Sequence, residues 1–208
     1  MRCAVGRRQS QWPLPGEGWP QFGDCPETFV NRIPIFDLDG TLVDSDEALI
    51  GAFVALGVKR QDVTFGHVIA DECARLGISL DEYIVHYDPA MAHPFPGIDD
   101  LLRELGRWTI CSNKHVESGY AELERLGWNP TLSTFSDAFT GAKDLRPTLD
   151  ALDLEPADVI FVGDTAHDRD CAHQAGVTFV LAGWNSRVVS APGDVVASHP
   201  SDVLSLLT

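Results

Sequence analysis

Short, unbroken apolar runs alternate along this chain with stretches whose apolar residues recur every three or four positions. Ile33-Pro34-Ile35-Phe36 is too short for a helix and runs into Asp37 and the turn signal Asp39-Gly40, which predicts a buried strand with carboxylates at its C-terminal tip. Trp108 to Cys111, Val159 to Val162 and Val177 to Leu181 predict further strands, with Val195 to Ala197 at a sheet edge. Leu101, Leu102 and Leu105, then Val116, Tyr120, Leu123 and Leu126, then Leu145, Leu149 and Leu152 mark amphipathic helices between them. Such alternation implies βαβ units, so the expected fold is α/β: a doubly wound, Rossmann-like parallel sheet covered on both faces, with its ligand at the carboxyl ends of the strands.

The alternation breaks after the first strand. Residues 45–92 read as helices only: Ala48 to Leu56, Phe65 to Leu76 and Leu80 to Tyr87. The chain returns through Pro94-Phe95-Pro96-Gly97, which makes 45–92 a small helical cap between stiff hinges and leaves 32–44 and 93–208 as the core. A final helix, Ser201 to Leu207, is expected to be capped by Ser201. Residues 1–31, punctuated by Pro13, Pro15, Pro20 and Pro26, read as an extended or disordered leader on which Trp12, Trp19 and Phe22 could still pack.

Composition narrows the partners. The 208 residues are 44% hydrophobic, enough for one core and a small second module. A formal net charge of -16 opposes binding to nucleic acid or an anionic membrane, and would repel a small anionic substrate unless a bound cation reversed the local sign. Five scattered cysteines without CxxC spacing read as reduced thiols of a cytoplasmic protein. No signal sequence is expected, and no apolar run reaches the roughly 18 residues of a membrane span. Oligomeric state is not written in the sequence.

The strongest chemical signal is Asp37-Leu38-Asp39-Gly40-Thr41. Carboxylates two apart at a strand end point the same way, so one can attack phosphorus while the other donates a proton to the leaving oxygen and later activates water. Their closeness raises the proton affinity of one of them, which suits the acid. Gly163-Asp164-Thr165-Ala166-His167-Asp168 is the partner signal: Asp164 ends another strand and Asp168 follows one helical turn on. Four carboxylates with oxygen-only ligands suit Mg²⁺. N-capping by Asp164 would account for only one of that second pair.

From Pro34 to the C-terminus the sequence resembles the haloacid dehalogenase-like hydrolases, phosphatase branch, of the phosphoglycolate phosphatase type with a helical cap after the first motif. Asp37 to Thr41 meets the first motif and Gly163-Asp164 with Asp168 the last, while Ile110-Cys111-Ser112-Asn113-Lys114 matches the second, a strand ending in Ser or Thr before Asn. The third motif is a lysine. Of the chain's three lysines, Lys143 is the candidate, but the proline the family places directly after it comes four later as Pro147, so Lys143 and Arg146 both stand as candidates for the phosphate pocket.

The resemblance implies attack by Asp37 to give an aspartyl phosphate, with Asp39 as acid and then base. It also implies Mg²⁺ held by the Asp37 carboxylate, the Asp39 carbonyl and Asp164, with Asp168 ordering its waters, and phosphoryl oxygens held by Ser112 and Lys143 beside Asn113. The implied substrate is a small phosphate monoester. A phosphomutase and a non-catalytic binding protein on the same fold are the rivals. Motif order disfavours a phospho-accepting receiver domain, and the acid at Asp39 disfavours a dehalogenase. His67, His86 and His93 fall in the cap or its hinge, His167 follows the last motif, and His115 and His173 read as structural.

Overall fold

The structure, a computed structural model, describes residues 32–64 and 68–208. The leader 1–31 and residues 65–67, the start of the second expected cap helix, lie outside the described residues. In chain order the elements are β1 (Ile33–Phe36), β2 (Val43–Asp44), α1 (Asp46–Ala55), α2 (Ile69–Leu76), α3 (Leu80–His86), β3 (His93–Pro94), α4 (Ile98–Glu104), β4 (Thr109–Cys111), α5 (Val116–Leu126), β5 (Leu132–Thr134), α6 (Arg146–Leu152), β6 (Val159–Gly163), α7 (Ala166–Ala175), β7 (Thr178–Ala182), β8 (Val195–Ala197) and α8 (Asp202–Ser205).

Six strands form one sheet in the order β5-β4-β1-β6-β7-β8, and every pairing within it is parallel. Side chains alternate between two buried faces. Phe36, Ile110, Ile160, Val162 and Val180 pack with α4, α5 and α8 on one side, while Ile35, Val159, Phe161 and Leu181 pack with α6 and α7 on the other. That double burial is why β1 and β6 are unbroken apolar runs in the sequence. The chain lays down β1, β4 and β5 in one direction and returns to β6, β7 and β8 in the other. The order therefore reverses beside β1, and the crevice opens there, above the ends of β4, β1 and β6.

The helical insertion leaves and re-enters through a two-stranded antiparallel ribbon in which Val43 pairs with Pro94 and Asp44 with His93. It has its own hydrophobic cluster of Phe53, Cys73, Tyr83, Tyr87 and their neighbours, with the Phe53 and Tyr83 rings 4.7 Å apart. Buried Glu72 knits this segment internally: it accepts from the Thr64 N–H at 2.6 Å and from Arg75 at 2.6 and 2.7 Å. Burial alone would raise its pKa, but these donors outweigh it and hold the carboxyl at about 2.

Several boundaries depart from the sequence reading. α2 begins at Ile69 because Val68 is extended, at φ -61° and ψ 130°. β5 was not expected, since Leu132-Ser133-Thr134 is a short, partly polar edge strand. α8 is one turn, and the Ser201 hydroxyl sits 2.8 Å from His199 Nδ1 instead of capping the helix. Tyr120, assigned by spacing to the inner face of α5, is 54% exposed.

Candidate active site

The site begins where β1 stops pairing. The Asp37 N–H still donates to the Val162 carbonyl at 2.9 Å, and the chain then folds back so that the Leu42 and Val43 N–H groups both reach the Leu38 carbonyl at 3.0 Å. Gly40 makes this turn at φ +79°, and a Cβ built there would stand 2.2 Å from Asp164 Oδ2. Asn185 holds the two sides together, its side-chain amide donating to the Gly40 carbonyl at 2.8 Å and to Asp164 Oδ2 at 3.3 Å. Gly40→Ala is expected to destabilise the protein by at least about 1 kcal/mol in denaturant unfolding, from the left-handed backbone and the displaced carboxylate together. Unchanged stability would mean that the loop relaxes freely.

At the neighbouring strand, Thr165 caps α7. Its hydroxyl accepts from the Asp168 N–H at 3.2 Å, while the Asp168 carboxylate accepts from the Thr165 N–H at 3.0 Å. Asp164 is therefore not the cap, and its carboxylate turns toward β1. Carboxylate oxygens of Asp37, Asp164 and Asp168 lie within 4.8 Å of one another, all three groups buried or partly so. Lys143 joins two of them, its Nζ lying 2.7 Å from Asp37 Oδ1 and 2.5 Å from Asp168 Oδ1. Arg146 is largely exposed and pairs with Asp144 instead.

One ammonium cannot neutralise three buried carboxylates, and the proton affinities follow. Burial pushes Asp37 up to about 6 in spite of Lys143, and burial with repulsion from Asp37 and Asp168 pushes Asp164 up to about 8. Asp168 goes the other way: burial would raise it, but Lys143 and the Thr165 donors hold it below the ordinary carboxylate range. Lys143 in turn stays protonated well above its ordinary value, because Asp168 and Asp37 outweigh its burial.

Asp39 pairs with a different lysine. Its Oδ1 accepts from Lys114 Nζ at 2.8 Å, and Lys114 also reaches Glu122 at 3.0 Å and the Tyr87 hydroxyl at 2.8 Å. Tyr87 follows α3 of the insertion and donates to Glu122, which is fully buried on α5. Burial, reinforced by Asp39, raises Glu122 to about 10. Ser112 and Asn113 complete the rim at the end of β4. The carboxylates open into a cavity of about 300 Å³ that continues into the insertion.

A family profile for the haloacid dehalogenase-like hydrolases matches residues 34–182. The chain belongs to the haloacid dehalogenase-like hydrolases. It is 25% identical over 210 residues to the N-acetylmuramic acid 6-phosphate phosphatase of Pseudomonas aeruginosa, covering 83% of this chain and 93% of that protein. It is 29% identical to a phosphoglycolate phosphatase of Synechococcus elongatus, covering 84% and 96%. A haloacid dehalogenase-like family hydrolase from Streptococcus pneumoniae superimposes with a TM-score of 0.70 at 24% identity, over 86% of this chain and 99% of that one.

All seven motif residues of this haloacid dehalogenase-like chain, Asp37, Asp39, Ser112, Asn113, Lys143, Asp164 and Asp168, line the one cavity. Of the histidines singled out by sequence, His86 and His93 are exposed away from it and His67 lies outside the described residues. His115, read as structural, lines the cavity instead. Sequence reasoning assigned no role to Lys114, Glu122, Tyr87 or Asn185. Only the lysine carried a signal, as the residue after Ser112-Asn113.

Proposed function

We infer that the protein is a phosphatase that hydrolyses a small-molecule phosphate monoester through a phosphorylated Asp37. The observation that carries this reading is the buried Asp37 carboxylate paired to Lys143 at a strand end, with a second carboxylate, Asp39, two residues on. An Asp37 carboxylate oxygen attacks phosphorus in line. The bond from phosphorus to the alcohol oxygen breaks, and that oxygen takes a proton from Asp39. Water then attacks the aspartyl phosphate, Asp39 takes its proton, and phosphate leaves with Asp37 regenerated. Lys143 and Ser112 hold the phosphoryl oxygens, and Asn113 orients the substrate beside them.

The donor set fits Mg²⁺: hard carboxylate oxygens from Asp37, Asp164 and Asp168, two of them with proton affinity raised by burial and by repulsion from their carboxylate neighbours. Asp37, Asp164 and the Asp39 carbonyl would hold the ion, with Asp168 ordering its waters, and it would supply positive charge to the phosphoryl oxygens. Asp37 and Asp164 carry protons in the metal-free fold up to about pH 6 and pH 8. Those protons must leave for the ion to bind, so Mg²⁺ affinity is expected to rise from pH 6 to pH 8 with proton release. Titration calorimetry in two buffers of different ionisation enthalpy measures both, and a pH-independent affinity would remove the two carboxylates from the ligand set.

Among the described residues no helix is long and apolar enough to cross a membrane, and the described cysteines Cys73, Cys111 and Cys171 are buried free thiols. Both fit work in the cytoplasm on a small substrate, and the net charge fits neither nucleic acid nor membrane. Phosphate release from a panel of small esters, with and without Mg²⁺, tests the function directly. Metal-dependent release supports it. Intramolecular phosphate transfer without release points to a mutase, and no turnover at all to a binding protein.

A further inference from the structure

The half of the cavity formed by the helical insertion has a chemistry that the phosphoryl site does not use. Leu49, Phe53, Val63 and Ile69 give it an apolar wall, and two buried hydroxyls stand beside them. Tyr83 is 1% exposed and Ser45 0%, both line the cavity, and neither side-chain oxygen has a hydrogen-bond partner among the described residues. A buried hydroxyl without a partner carries a desolvation cost that a bound ligand removes.

Acidic groups outnumber cations in the same cavity. Asp37, Asp39, Asp46, Glu72, Asp164 and Asp168 all line it. Each described lysine and arginine that lines it is already ion-paired: Lys143 with Asp37 and Asp168, Lys114 with Asp39, and Arg187 with Asp44 and Asp46. A second anionic group on the substrate would be desolvated among carboxylates, with no unpaired lysine or arginine among the described lining residues to receive it.

Building on the phosphatase reading, we propose that the insertion selects an uncharged, hydroxyl-bearing alcohol with a hydrocarbon face, as in a phosphorylated neutral sugar or short polyol, over a phosphorylated hydroxy acid. Tyr83 and Ser45 meet the substrate's hydroxyls, and Leu49, Phe53, Val63 and Ile69 meet its C–H face. The cavity of about 300 Å³ matches one such unit and its phosphate; it lies at the lower end of the roughly 300–1,000 Å³ typical of ligand sites. Phosphoglycolate, the substrate named for several relatives, carries the carboxylate that this lining disfavours.

The test uses the full chain with Mg²⁺ and three esters: 2-phosphoglycolate, its neutral counterpart 2-hydroxyethyl phosphate, and glucose 6-phosphate. The neutral esters are expected to exceed phosphoglycolate in kcat/KM by at least about tenfold, with glucose 6-phosphate the better of the two. Tyr83→Phe is expected to lower the ratio of glucose 6-phosphate to phosphoglycolate by about tenfold, chiefly through KM. Should that variant fold poorly, the wild-type ratio still decides. Phosphoglycolate hydrolysed as well as or better than 2-hydroxyethyl phosphate would overturn the proposal and leave the phosphatase reading standing. No hydrolysis of these esters or of p-nitrophenyl phosphate would overturn both.

Discussion

Asp37→Asn is expected to lower Mg²⁺-dependent phosphate release by at least about 10⁴-fold, because an amide cannot form the bond to phosphorus on which both half-reactions depend. The change is nearly isosteric and leaves Lys143 its second partner, Asp168, at 2.5 Å. The fold should therefore survive, with circular dichroism unchanged and the melting temperature within a few degrees. Stopped assays for free phosphate on matched preparations read the effect. If more than a tenth of the rate remained, Asp37 could not be the nucleophile, and catalysis would have to start from a water positioned near the second carboxylate.

Lys143→Met addresses the other half of the charge balance. Its side chain is 4% exposed and lies between Asp37 and Asp168, at 7% and 1%. Methionine keeps the hydrocarbon volume but strands two buried carboxylates, a loss of about 3–5 kcal/mol at neutral pH. The sign of the pH effect follows from Asp168. Its folded proton affinity is held below the ordinary value, so with Lys143 present it contributes stability above the unfolded pKa. The variant loses that contribution, so its deficit relative to wild type should be largest near pH 7 and shrink as pH falls and the stranded carboxyls take up protons. Denaturant unfolding at pH 7 and pH 5 measures both deficits. Equal deficits at the two values would show that the pair is energetically minor. Phosphate release should fall sharply whatever the stability.

Much of the fold was legible because a central strand of a parallel sheet is buried twice over. Val159-Ile160-Phe161-Val162 could face water on neither side, so its pattern had one reading. At the sheet edge that constraint lapses: in Leu132-Ser133-Thr134 only Thr134 is buried, and nothing local distinguishes the strand from a loop. The start of α2 was misjudged because Val68 fits a helical apolar stripe while its backbone is extended.

The site divides along the same line. Asp37, Asp39, Asp164 and Asp168 stand beside turn signals at the ends of readable strands, and Lys143 was narrowed by the scarcity of lysine. Which of Lys143 and Arg146 lies beside Asp37 is written only in the fold, which buries the first there and exposes the second. The Tyr87, Lys114 and Glu122 group was invisible because its members come from three segments, and a glutamate on an amphipathic helix normally faces solvent. Glu122 is fully buried, and that fact belongs to the packing of α5 beneath the insertion.

The ribbon of Val43-Asp44 against His93-Pro94 has a consequence for descent as well as for architecture. The insertion departs and returns at adjacent points, and the pair of short strands closes that doorway whatever lies beyond it. Replacement of everything between Ser45 and Ala92 would remove Tyr87 from Lys114 but leave the register of β1 against β4 and β6 untouched, and with it Asp37 and Asp164 at the tips of β1 and β6. Lineages can thus exchange the outer module wholesale while the phosphoryl chemistry is inherited intact, and an engineer could transplant a new one through the same doorway.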